Sequence, residues 1–373
     1  MSMLQNRFTR LSMTQFSEQF RGMNLTSMHS TNPEPFAKTE MESIIGNSFA
    51  EILEDVSLGF AADEGSVELR QAIAENLYQN TQPCDVIAHA GAQEALYCVF
   101  NALLEKNDDV LVVTPAFEPL IRIPQNIGCN VRTIELQSKH QWKLDLQKVE
   151  EEFNSGCKVF IINFPHNPTG AHLSDKEFEE IINLCRKYDV WLLSDEVFRG
   201  LEHDESLKLP AVADVYEKGI SIGVISKAFA IPGVRIGWLV CKDAELRSKV
   251  LNVKEYLSVC NSQIDEKLAT AILKIPNQIL QRNLQIICKN KELIRSEDKL
   301  FGFQIKVEIP QSGCSLFAEL INADAEKFCK IVAKKYGYLI YPSSLFSTNI
   351  NAVRIGFGSK KFSEFIKKGR AFL

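Results

Sequence analysis

The 373-residue sequence has few of the features that would tie it to a metal, a membrane, a secretory route or a nucleic acid. Its ten cysteines are scattered and none pairs as CxxC. That argues for free thiols in a reducing compartment rather than a disulfide framework. Its six histidines show no HExxH-type spacing, so no metal site is expected. No run of about 18 apolar residues occurs, so no transmembrane helix and no membrane partner are expected. Long basic runs and low-complexity tracts are also missing. With a net charge of −5, nothing marks a nucleic-acid partner. The N-terminal stretch MSMLQNRFTRLSMTQFSEQF is poor in acids, but it has neither an apolar signal core nor an A-x-A site. Phe8, Leu11, Phe16 and Phe20 read instead as anchors of a docking arm, and a cytoplasmic location is the expectation.

What is present is an ordinary globular composition, 45% hydrophobic and 24% charged, in a chain too long for one core. Residues 1–40 read as irregular, broken by Asn32, Pro33 and Pro35. Val67, Leu69, Ile73 and Leu77 recur near the helical period. EALYCVFNALL, ending at Leu104, reads as a more buried helix. Strands then alternate with helices. DVLVVTP (109–115), NVRTIEL (130–136), KVFIINFP (158–165), VWLLSDE (190–196), ISIGVIS (220–226) and RIGWLVC (235–241) are the expected strands. Ser174 and Glu177 form a capping box that opens the helix EFEEIINLCRKY. This alternation predicts right-handed crossovers and a mainly parallel sheet. A long helical stretch follows to about Arg295. A separate α+β unit closes the chain, with strands in FQIKVEIP, SLFAEL and AVRIGFG and helices over 325–335 and 362–372.

In an open parallel sheet, ligands sit at the carboxyl ends of the strands. After FIINFP comes His166-Asn167-Pro168-Thr169-Gly170. After VWLLS comes Asp195-Glu196-Val197-Phe198. After ISIGVI comes Ser226-Lys227, with Arg235 eight residues on. An amide, a carboxylate, a lysine and an arginine therefore meet at one rim. Each alone is a weak signal, because NPTG is usually a turn and a strand-end Asp is often a helix cap. Their order and spacing together are specific.

From about Leu58 to Gly358 the chain resembles the class I and II aminotransferases, pyridoxal-phosphate (PLP) enzymes of fold type I. The motifs NPTG, SDEVF and SKAFAIPGVRIGW carry the likeness. INFPHNPTG, DEVFRGLEHD and GVISKAFAIPGVRIGW are similar to a branch that includes capreomycidine synthase-like proteins. The resemblance implies an α/β fold with a large PLP-binding domain over 57–265. It implies an N-terminal arm and part of a small domain over 1–56, and a linking helix with the rest of that domain over 266–373. It also implies a homodimer.

The resemblance assigns the residues as well. Lys227 would hold PLP as a Schiff base and move the α-proton. Asp195 would keep the pyridine nitrogen protonated. Asn167 would hydrogen-bond the ring hydroxyl oxygen, and Phe117 would stack on the ring. Arg235, Ser226 and the Gly91-Ala92-Gln93 turn before a helix would hold the phosphate. Arg354 would grip the substrate carboxylate. The implied partners are an amino acid and a 2-oxo acid, exchanged by a ping-pong transfer. Specificity is expected around Thr26–Phe36, Asn261 and Ser343–Ser347.

Three positions depart from the family pattern. Phe198 stands where a tyrosine usually bonds the ring oxygen. Phe60 stands where a tyrosine often reaches the partner subunit's phosphate. Val224 replaces a frequent hydroxyl ligand. Each lost hydrogen bond costs about 0.5–1.5 kcal/mol. They leave other PLP chemistry open: β-elimination or replacement, cyclisation, or oxidation.

Overall fold

Alternation within single strands explains the central sheet. Val110 and Val112 point into one hydrophobic cluster while Leu111 and Val113 point into the other, and Val159, Ile161 and Phe160, Ile162 divide the same way. A sheet apolar on both faces must be covered on both, as crossover helices do. The computed structural model describes residues 9–295 and 297–371. It contains a seven-stranded sheet whose order in space is Val86–His89, Gly237–Cys241, Gly219–Val224, Trp191–Asp195, Val159–Ile162, Asp109–Thr114, Asn130–Glu135. All these strands run parallel except Gly237–Cys241, which is antiparallel to both neighbours.

The crossover helices follow their local signals. In the helix Asp175–Tyr188, Ser174 Oγ accepts from the Glu177 amide, and the Glu177 carboxylate accepts from the Ser174 amide. Phe178, Ile181, Ile182 and Cys185 form its buried face. Two expectations for this region need correction. RIGWLVC is a strand, but it returns as a hairpin instead of a crossover. The strand Val86–His89 was not foreseen, because VIAH is too short to show a period.

A second, antiparallel sheet of five strands orders Tyr341–Pro342, Ala352–Gly356, Ser315–Ile321, Phe303–Val307 and Lys299–Leu300. The long helical stretch before it is three helices, Ala244–Lys254, Gln263–Leu273 and Pro276–Glu292. Ser262 caps the second and Pro276 starts the third, where its missing N–H costs nothing. The helix expected over 325–335 is α-helical over Ala325–Ile331 and widens to a π turn over Val332–Tyr336.

Residues 1–40 are not irregular throughout, which is a further correction. Ser12–Glu18 is a helix, and Lys38–Ile45 begins another. Phe16 and Phe20 are buried, with Phe16 edge-on to Tyr341, while Phe8 lies outside the described residues. Thr26–Ser27 pairs in parallel with Tyr338–Leu339 as a separate two-stranded sheet, and the Gly356 amide donates to the Met28 carbonyl, which ties the N-terminal arm to the second sheet. Among the described residues no helix is long and apolar enough to cross a membrane.

Candidate active site

The carboxyl ends of three parallel strands aim chemistry at one cavity of about 490 Å³, and the second sheet supplies its far wall. Asp195 ends the strand Trp191–Asp195. Lys227 lies three residues past Gly219–Val224, on the turn of the hairpin. Asn167 follows Val159–Ile162, and Arg354 comes from Ala352–Gly356. Asn163 braces the arrangement. Its Nδ2 donates to the Asp195 carbonyl at 2.7 Å, and its Oδ1 accepts from the Asn167 amide at 3.0 Å. An asparagine inside the apolar run FIINFP was the signal for this brace, and the sequence reading did not use it.

All ten residues singled out from the sequence come together. Asp195, Lys227, Asn167 and Arg354 line the cavity, and so do Phe117 and Ser226. Ala92 and Gln93 line it from the first turn of the helix Ala92–Leu103, and Arg235 faces them. Gly91 lies just behind, at φ 93°, and a Cβ there would meet Arg235 Nη2 at 2.6 Å. The guanidinium therefore packs on bare backbone at a helix N-terminus, where amide N–H groups and the helix dipole also favour an anion. Arg235 is exposed, and the hydrogen bond described for it runs to the Pro232 carbonyl at 3.1 Å.

The site is short of negative charge. Burial pushes the Asp195 carboxyl up to about 7, opposed by the Val197 amide and by Lys227. Burial, then Arg354, pulls the Lys227 amine down to about 8. Burial lowers even Arg354 to about 10. Arg354 donates to Asn167 Oδ1 at 3.0 Å and to the His29 carbonyl at 2.8 Å, while its buried Nε has no hydrogen-bond partner. A buried acid without a full cation, a phosphate-sized cradle and an arginine with a spare donor fit PLP and a carboxylate substrate. The donor set matches that cofactor group by group: a carboxyl for a pyridinium, a lysine for an aldehyde, a guanidinium at a helix start for a phosphate.

One wall was only loosely foreseen. Lys227 Nζ donates to Thr31 Oγ1 and Asn32 Oδ1, both at 2.9 Å. His29 stacks on Tyr341 with ring centres 4.3 Å apart, and its Nδ1 lies 3.1 Å from Ser27 Oγ. These residues fall in the range Thr26–Phe36 expected to affect specificity, but their bonds to the lysine were not expected. Asn261 and Ser343–Ser347, named with them, do not line the cavity. Phe198 is buried with its ring centre 5.9 Å from Lys227 Nζ, and Val224 also faces the cavity. Phe60 is exposed and far from any packing role within this chain.

Comparison with known proteins agrees with this geometry. The family described as aminotransferase class I and II matches residues 49–364. Capreomycidine synthase of Streptomyces vinaceus is 26% identical over 294 residues, covering 79% of this chain and 75% of that protein. An aspartate aminotransferase of Thermotoga maritima is 27% identical over 289 residues, covering 76% and 74%. A solved structure of a PLP-dependent aminotransferase from Streptococcus suis superposes with a TM-score of 0.89 at 24% identity, covering 98% of both chains.

Proposed function

Since this chain belongs to the class I and II aminotransferase family and is a PLP-dependent aminotransferase of fold type I, we propose that the cavity described above moves the amino group of an L-amino acid to a 2-oxo acid. The observation that carries the reading is the convergence of Lys227, Asp195 and Arg354 on one cavity. When bound there, PLP supplies an electron sink for the bonds at the substrate's α-carbon.

The chain's own residues do the rest. Lys227 would hold the cofactor by its amine, and the same Nζ, which burial and Arg354 lower to about 8 in the cofactor-free site, is the group placed to move the proton at the substrate's Cα. Asp195 would hold the pyridine nitrogen in its protonated form. Asn167 would hold the ring hydroxyl oxygen through its Nδ2, while its Oδ1 accepts from Arg354 and orients it. Arg354 fixes the α-carboxylate by a guanidinium fork, which sets the orientation of the Cα–H bond. Gln93, Ser226, Arg235 and the amides after Gly91 would anchor the phosphate. Half-buried Phe117 would cover one face of the ring. A transfer of this kind takes its two substrates in turn at the one cavity, so its kinetics would be ping-pong.

The same reading divides the chain at about residues 57 and 266 and makes it a cytoplasmic homodimer. Leu58, Phe60 and Tyr256 support the dimer, because all three are almost fully exposed. Light scattering on the purified protein measures it. The test of the reaction is the visible absorbance of the PLP-loaded protein during addition of amino acids. Bleaching with release of a 2-oxo acid and no ammonia is the expected result. Ammonia release would point to elimination or oxidation, the second reading that Phe198 beside Lys227 favours. Lys227→Ala should abolish both the visible band and turnover.

A further inference from the structure

We propose that Thr31 and Asn32 of the N-terminal arm are positioning residues for Lys227, holding its amine whenever that amine is not joined to the cofactor. The inference rests on the transaminase reading and adds the device that readies the lysine for proton transfer.

Lys227 Nζ donates to Thr31 Oγ1 and to Asn32 Oδ1, both at 2.9 Å. A lysine ammonium has three N–H donors, and the neutral amine has two and a lone pair. With both N–H groups of the neutral amine on the arm, its lone pair is left free to take a proton. The arm does not depend on the lysine for its shape. The Met28 carbonyl accepts from the Gly356 amide at 2.6 Å, and the His29 carbonyl accepts from Arg354 Nη2 at 2.8 Å. The Asn32 amide donates to Ser30 Oγ at 3.2 Å, and the Glu34 amide donates to the Gly358 carbonyl at 2.8 Å. Thr31 and Asn32 are thus fixed from both sides by the strand Ala352–Gly356 and the residues after it, whereas Lys227 belongs to the large sheet. Acceptors set in place beforehand orient a catalytic group without a further loss of freedom.

Joining the cofactor removes this contact. When a neutral amine condenses with an aldehyde, both its hydrogens leave with the aldehyde oxygen as water. The nitrogen of the new C=N bond then keeps no more than one proton. PLP carries its hydroxyl beside the aldehyde, so that proton has an acceptor on the cofactor itself. Thr31 Oγ1, on a buried residue, and Asn32 Oδ1 are left without their donor. A buried acceptor without a donor costs free energy. The arm therefore favours the forms of the loaded site in which Lys227 is free, and those are the forms in which it moves protons. These bonds lie within one chain, so a second copy covering the site does not supply them.

Cofactor affinity tests the inference apart from turnover. PLP takes Lys227 from the arm, whereas pyridoxamine phosphate, with an amine in place of the aldehyde, leaves it there. Both are titrated into the cofactor-free protein and followed by absorbance and fluorescence. The double variant Thr31→Val, Asn32→Leu keeps the side-chain shapes and removes both acceptors. It should bind PLP about tenfold more tightly than the native protein and pyridoxamine phosphate no differently. Asn32→Leu alone, at a half-buried position, should tighten PLP about threefold. Thr31→Ser keeps the hydroxyl and should match the native protein. With excess amino acid in a single turnover, the double variant should bleach the visible band about tenfold more slowly. Weakening of both cofactors together would mean that the arm only shapes the pocket. Unchanged PLP affinity, or bleaching at the native rate, would mean that the bonds do not position the lysine. Each of these results overturns the inference. If PLP tightens but no amino acid bleaches the native protein, the hold on Lys227 stands and the transaminase reading falls.

Discussion

Replacing Gly356 by alanine is a sharp test of how the N-terminal arm completes the site. The backbone φ at Gly356 lies outside the left-handed region, so alanine is locally allowed there. The obstacle is the neighbouring chain. A methyl at Gly356 would lie 1.8 Å from the Ser30 carbonyl oxygen, where ordinary contact begins near 3.4 Å. The arm must retreat by well over one ångström. That retreat breaks the hydrogen bond from the Gly356 amide to the Met28 carbonyl, now 2.6 Å, and draws Thr31 and Asn32 away from Lys227. Overpacking of this kind costs about 1–3 kcal/mol. Differential scanning calorimetry should show a Tm lower by a few degrees, and hydrogen exchange should speed up at Gly356. Gly233→Ala is the control, because a methyl there meets nothing within 4 Å. If Gly356→Ala melts and exchanges like the control, the arm does not pack as described and the reasoning fails.

Other outcomes follow from the electrostatics. In the cofactor-free protein Lys227 is lowered from 10.5 to about 8, so between those values only the unfolded chain holds the proton. Stability therefore rises with pH through that window, and below it the lysine costs about 3 kcal/mol. Lys227→Met should raise the Tm of the cofactor-free protein at pH 7, with the gain fading above pH 10; an equal gain at both pH values would refute this. Asp195→Asn should cut turnover on the order of a hundredfold or more and weaken PLP retention, measured by dialysis and steady-state kinetics. Phe198→Tyr adds a hydroxyl near Lys227 and should shift the pH titration of the cofactor's visible band downward; no shift would mean the hydroxyl does not reach the ring oxygen.

The sequence showed the strand ends well because the chemistry sits next to its own strand. Lys227, Asp195 and Asn167 each follow an apolar run within a few residues, and the position in the sheet supplies the rest. The capping box at Ser174 was equally local. What did not show were relations between distant segments. The direction of Gly237–Cys241 is not encoded in its apolar pattern, only in the hairpin that precedes it. Ser12–Glu18 has too few apolar residues to show a period, and its helix depends on Phe16 docking beside Tyr341. Asn32, Pro33 and Pro35 read as residues that break any helix. Nothing near them announces that Thr31 and Asn32 bond Lys227. Arg354 could be placed by resemblance, but not its burial without an acidic partner.

That arm also sets the order of assembly. His29 and Arg354 are joined across 325 residues, and Thr31 and Lys227 across 196. Residues 26–28 of the arm cannot make their backbone pairs until residues 338–339 and 356 have been made. Closing so long a loop is slow relative to forming the local crossovers of the large sheet. A nascent chain can thus hold a nearly finished sheet and still lack a pocket. Competence to bind cofactor and substrate together becomes a mark that both sheets have been made and joined by the arm.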